Sequence, residues 1–163
     1  MDGVCHMSQL IDDDCLPPTG RLVGIDYGTV RVGIAISDLS QTIASPLEVY
    51  RRRNEKLDRE YFSKLVLAEA PVGFVVGLPL HLSGDESPKS KESKSFGQWL
   101  REVTKLPVVW FDERFTTAMA REVLNQSHLS GAKRKAALDK LAAQILLSAF
   151  LEASPPATRQ IAE

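Results

Sequence analysis

Apolar positions along this chain fall into two kinds of run. Short, nearly continuous runs occur at "RLVGID" (21–26), "PVGFVVGLPL" (71–80) and "LPVVWFDE" (106–113), the mark of strands buried on both faces. "RVGIAISD" (31–38) and "TIASPLEVY" (42–50) read as two further strands, and Pro46 puts the latter at a sheet edge or a bulge. "YGTV" joins the first two strands as a turn, with Gly28 free to take a positive φ.

Longer stretches carry a helical period instead. "LDREYFSKLVLAEA" places Leu57, Tyr61, Leu65 and Ala68 on one face. "SPKSKESKSFGQWLREV" offers Ser87 as a cap and Pro88 in the first turn, then Phe96, Trp99, Leu100 and Val103 at helical spacing. "TTAMAREVLNQ" reads as a short helix capped by Thr116 or Thr117, and "AKRKAALDKLAAQILLSAFLEA" as a long final one. A three-strand meander followed by helix–strand–helix–strand–helix predicts an α/β fold with a mixed five-stranded sheet flanked by helices. Right-handed crossovers set the last two strands beside the first and parallel to it. The first strand is then central, and its C-terminal end is where open α/β sheets keep their ligands.

Residues 1–20 lack periodicity and are expected to form a disordered acidic extension, residues 21–153 one domain, and residues 154–163 a flexible tail. No apolar run is long enough to span a bilayer and the N-terminus lacks a signal-peptide pattern, which points to the cytoplasm. Cys5 and Cys15 have no CxxC spacing and read as reduced thiols. The net charge of −1 hides a gradient. Residues 1–20 hold Asp2, Asp12, Asp13 and Asp14 and no Lys or Arg, so the remainder is net basic. Its basic residues cluster at Arg51–Arg53, at Lys89, Lys91 and Lys94, and at Lys133–Lys135, a hint of a polyanionic partner.

Acids stand where structure alone does not call for them. Asp26 ends the first buried strand, and Asp112 and Glu113 end the fifth. Strand side chains alternate, so only one of Asp112 and Glu113 shares the face of Asp26. Asp139 lies about two turns inside the last helix, too far in for the N-terminal dipole to explain it. Each has a bland role: a turn cap for Asp26, an ion pair with Arg114 for Asp112, and one with Lys135 for Asp139. Together they crowd one edge of the sheet, and crowded carboxylates require raised pKa values or a divalent cation. Oxygen-only ligands suit one or two Mg²⁺ or Mn²⁺ ions. Such a site serves in-line phosphoryl transfer without a protein nucleophile, in keeping with the scattered His6, His81 and His128.

"GIDYGTVRVGIAISD", "VVGLPL…SGDESP", "DERFTT" and "LDKLAAQILLSAFL" together resemble the YqgF family, also called RuvX, over nearly all of residues 21–152. The resemblance implies a ribonuclease H-like fold. It implies Asp26, Glu113 and Asp139 as catalytic, metal-holding acids, with Asp112 as the possible substitute for Glu113. It further implies a substrate cleft lined by Gly77, Leu78 and Pro79 and by Arg114, Thr116 and Thr117. Gly28, Thr29, Lys133 and Lys135 are expected to join them in holding a nucleic-acid backbone. Met119 stands where family members often carry an acid.

The activity expected is metal-dependent endonucleolytic cleavage in 5′-end maturation of precursor 16S rRNA, acting on nucleic acid or ribosomal particles and not at a membrane. Resolution of branched DNA is the alternative, and it would need a dimer, whereas a monomer or weak homodimer suits rRNA trimming. Two further alternatives are a non-catalytic nucleic-acid-binding module and a nucleotide-binding domain of the actin and Hsp70 type. The latter resembles "GIDYGT" but needs two such domains and leaves Asp139 unexplained.

Overall fold

Five strands form one sheet in the order β3-β2-β1-β4-β5: β1 Leu22–Asp26, β2 Arg31–Ser37, β3 Ala44–Arg51, β4 Gly73–Leu78 and β5 Val108–Asp112. The computed structural model describes residues 15–80, 83, 85–113, 122 and 130–156, the side chains of residues 134–136 and 139 excepted. β1 is central, antiparallel to β2 and parallel to β4, and β5 lies parallel beyond β4, as the pattern predicts. Pro46 sits on the edge strand β3, at a register shift where Ile34 and Ala35 face Glu48 and Pro46. A residue with no N–H to donate is tolerated there.

Strand alternation sorts the core into two layers. Val23, Ile25, Phe74, Val76, Val108 and Trp110 face α1 (Glu55–Glu69) and α2 (Pro88–Thr104), which contribute Phe62, Leu65, Phe96 and Leu100. Leu22, Val75, Val109 and Phe111 face the opposite side, against Ala143, Leu146, Leu147 and Phe150 of α3 (Gly131–Ala153). Each such large side chain contributes roughly 1.5–3 kcal/mol by leaving water. Gly24 lets α3 lie directly on β1: a Cβ there would come 2.8 Å from Leu147 Cβ and 3.1 Å from the Ala143 carbonyl oxygen.

Ser87 caps α2 through the Ser90 N–H and Pro88 opens the helix, as expected. Four details differ from the sequence reading. The buried face of α1 is Asp58, Phe62 and Leu65, with Ala68 exposed, because the aromatic Phe62 sets the helix rotation against Tyr50, Tyr61, Phe96 and Trp99. Gly28 does not take a positive φ. It is needed for space, since a Cβ there would lie 2.3 Å from the Arg31 carbonyl oxygen. Leu16, assigned to the extension, is 1% exposed in the α3-side core and packs over Gly73. α3 begins at Gly131, with Ser130 at its cap position. The predicted helix over "TTAMAREVLNQ" lies outside the described residues save Glu122.

Candidate active site

The C-terminal edge of the parallel strands gathers the acids. Gly24 lies under α3, so Asp26, two residues on, lies on that same face of β1. On β5, Val109 and Phe111 point to the α3 side, and the next residue in that alternation is Glu113. Asp112 belongs instead to the alternation of Val108 and Trp110 on the opposite face, and is 3% exposed. Between the two strands, β4 presents Gly77 level with Asp26, one step beyond the Ile25–Val76 pair. A Cβ at Gly77 would stand 2.3 Å from Glu113 Oε1. The missing side chain is what lets the Glu113 carboxyl lie across β4 toward Asp26.

Asp26 and Glu113 lie in hydrogen-bond contact, and that contact favours the protonated form of Glu113. Burial comes first in pushing the Glu113 carboxyl up to about 7, followed by the negative charge of Asp26. Lys89, in the first turn of α2, pulls in the other direction, and Asp112 adds a smaller upward push. Lys89 thus acts on the site through its charge, whereas the sequence shows it only as one of a basic cluster. Its signal was the Ser87–Pro88 helix start, which fixes where the cluster begins.

Asp139 is on α3, one turn before Ala143, whose carbonyl oxygen abuts Gly24. Helical spacing therefore puts position 139 on the stripe of α3 that contains Ala143 and Leu147. Its side chain lies outside the described residues, as do Arg114, Thr116, Thr117 and the Lys135 side chain. Among the described residues no group of three ligating side chains comes together; Asp26 and Glu113 are the pair that does. Thr29 and Lys133 are exposed and Gly28 half-buried. Pro79 accepts a hydrogen bond from Ser87 Oγ. Leu78 is corrected: its side chain is fully buried in the layer under α1 and α2, so it supports the edge from within instead of lining a cleft.

The residues present fit a hard divalent cation. Both described donors are carboxylate oxygens, Gly77 clears space beside them, and the negative charge of Asp26 pushes the Glu113 pKa up, a repulsion that a cation would relieve.

A family model described as "RuvX: Holliday junction resolvase" matches residues 20–153. The chain belongs to the RuvX family. Among RuvX relatives, a Rhodopirellula baltica protein named "Putative pre-16S rRNA nuclease" is 49% identical over 141 residues, covering 86% of this chain and 82% of its own. A Koribacter versatilis protein of the same name is 39% identical, covering 82% of this chain and 87% of its own. Among solved structures, the yeast mitochondrial Holliday junction resolvase aligns with a TM-score of 0.50 at 12% identity, over 90% of this chain and 83% of that one. This likeness is one of fold, and it agrees with the ribonuclease H-like architecture that the RuvX motifs imply.

Proposed function

We propose that this RuvX chain is a metal-dependent endonuclease that cleaves precursor 16S rRNA during 5′-end maturation. The observation that carries the chemistry is the Asp26–Glu113 pair, two carboxyls brought into hydrogen-bond contact over a glycine at the ligand-binding edge of the sheet. The rRNA substrate rests on the names of relatives such as the Rhodopirellula baltica protein. Asp26, Glu113 and Asp139 would hold one or two Mg²⁺ or Mn²⁺ ions. The ions would supply Lewis-acid activation of water and charge neutralisation at the scissile phosphate.

The chain's own groups do the rest. Gly77 keeps Glu113 aimed at Asp26, and partial burial of Glu113 lowers the local screening, which strengthens its hold on a cation. Lys89 adds positive charge at the same edge and assists Glu113 in ionising. Arg114, Thr116, Thr117 and Lys133–Lys135 would position the backbone, and the protein would act in the cytoplasm as a monomer or weak homodimer.

Branched DNA is the second reading, favoured by the description of the family. Purified protein is to be incubated with a precursor rRNA 5′ flank and with a four-way DNA junction, each with and without Mn²⁺, with Asp26→Asn as control. Cleavage of the rRNA that disappears with chelator and with Asp26→Asn supports the proposal. Cleavage of the junction alone moves the assignment to branched DNA. Cleavage that survives both chelator and substitution overturns the metal mechanism.

A further inference from the structure

On the α1/α2 face of the sheet, opposite the face that carries the acid pair, opens a cleft of about 730 Å³. Its volume falls in the range of ligand sites, roughly 300–1,000 Å³. Tyr27 and Thr29 of the β1–β2 turn line one end, Arg51 and Arg53 at the end of β3 one side, and Lys91 and Trp99 of α2 the other. Its Tyr27–Thr29 end reaches the same edge of the sheet as the candidate active site, from the other face. Tyr27 follows Asp26 directly in the chain, where β1 ends. Thr29 lies three residues from Asp26, at most ~11 Å of extended chain.

The charges of the cleft divide into spent and unspent. Arg52 is spent: its guanidinium donates to Tyr27 Oη at 3.0 Å and to Asp58 Oδ2 at 3.5 Å, and lies over the Tyr27 and Phe96 rings. Asp58 is spent as well, accepting from Tyr50 Oη at 2.8 Å and from the Arg53 N–H at 3.0 Å. Glu55 is engaged by Arg59 at 2.6 Å. Arg51, Arg53 and Lys91 are exposed and form no ion pair among the described residues. Of the acids in the lining, Glu92 forms no ion pair among the described residues. Trp99, half-buried against Phe62 and Phe96, adds an aromatic wall.

Free cations beside an aromatic wall are the elements of a single-strand groove, where cations track the phosphates and rings stack on bases. We infer that this cleft holds an unpaired nucleic-acid strand flanking the scissile phosphodiester, its phosphates on Arg51, Arg53 and Lys91 and a base against Trp99. The inference rests on the nuclease reading and deepens it. The arms of a four-way junction are paired and offer no such strand.

The test uses the full chain in EDTA, so that binding is read without cleavage, and a fluorescein-labelled single-stranded RNA of about 12 nucleotides, within the site sizes of such grooves. Anisotropy gives affinity against salt concentration, and tryptophan fluorescence reports on Trp99 because Trp110 is buried. Arg51→Glu/Arg53→Glu is expected to weaken binding at least tenfold and to lower the salt slope by about 1.4, for two single-strand phosphate contacts at about 0.7 each. Lys91→Glu, on a different element, is expected to lower it by about half as much. RNA should quench wild-type fluorescence, and Trp99→Phe should abolish the quenching.

Unfolding midpoints of all variants are measured, and a variant that fails to fold is replaced by its single Ala counterpart. Affinity and slope unchanged in both charge variants overturn the inference, as does equal competition by a duplex of the same sequence. The wild type and charge variants are then assayed for cleavage with Mn²⁺. Cleft-dependent binding without cleavage removes the hydrolytic reading alone; cleavage with cleft-independent binding removes the cleft alone.

Discussion

Glu113→Gln in metal-free protein is expected to make the fold more stable at neutral pH and less dependent on pH. Glu113 titrates near 7 in the folded chain against 4.5 for an unperturbed glutamate. Because the folded value is the higher one, the unfolded chain loses this proton first, and stability present at low pH is lost as pH rises through about 7. The full difference corresponds to about 3 kcal/mol. Integrated over the titration, about 2 kcal/mol disappears between pH 5 and 7, and only a few tenths more by pH 8. Gln keeps a hydrogen-bonding group against Asp26 and has nothing to ionise. Urea unfolding in EDTA at pH 5, 6, 7 and 8, followed by the fluorescence of Trp99 and Trp110, measures both proteins. The difference between them cancels the histidines, which titrate in the same window. The gap should widen from pH 5 to pH 7 and then level off. Mn²⁺ at pH 8 should stabilise the wild type and leave Glu113→Gln much less affected. Parallel stability curves for the two proteins would refute the reasoning, because Glu113 would then ionise as freely in the fold as outside it.

Gly77→Ala puts a methyl group 2.3 Å from Glu113 Oε1 and must displace that carboxyl; cleavage of precursor rRNA should fall at least tenfold while urea stability changes by about 1 kcal/mol. Gly24→Ala drives a Cβ against the Leu147 Cβ and the Ala143 carbonyl, neither of which is a flexible tip; a loss of about 1–3 kcal/mol in urea unfolding is expected from the overpacking. Asp58→Ala strips the acceptor from Tyr50 Oη and from Arg52, and should cost about 3 kcal/mol, as loss of one partner from a buried charged network does. The same substitution should lower the Tyr50 phenol from about 12, where burial leads and Asp58 assists, in an ultraviolet pH titration. Burial alone should keep it above the ordinary value.

Much of this protein was legible without coordinates, for local reasons. Continuous apolar runs name buried strands, Ser87 and Pro88 announce a helix start, and Pro46 marks an edge, because each depends on backbone chemistry within a few residues. The rotation of α1 was not legible, since Leu57 and Phe62 both suit a helical stripe and only the partners across the interface choose Phe62. Leu16 looked like part of a tail because its place over Gly73 is a long-range contact with no local signature.

The candidate site divides the same way. A carboxylate ending a central strand, and a pair of acids ending its parallel neighbour, are features of the chain itself, and they named Asp26, Asp112 and Glu113 in advance. Which of the pair meets Asp26 is a question of faces. α3 covers one side of the sheet and thereby assigns Glu113 to Asp26 and Asp112 to the opposite layer. The role of Gly77 as a gap for the Glu113 carboxyl, the reach of Lys89 to that carboxyl, and the unspent cations beside Tyr27 also required tertiary structure. The physical reason is that periodicity and turn chemistry act along the chain, while charge, burial and close approach act across it, between residues that only packing makes neighbours.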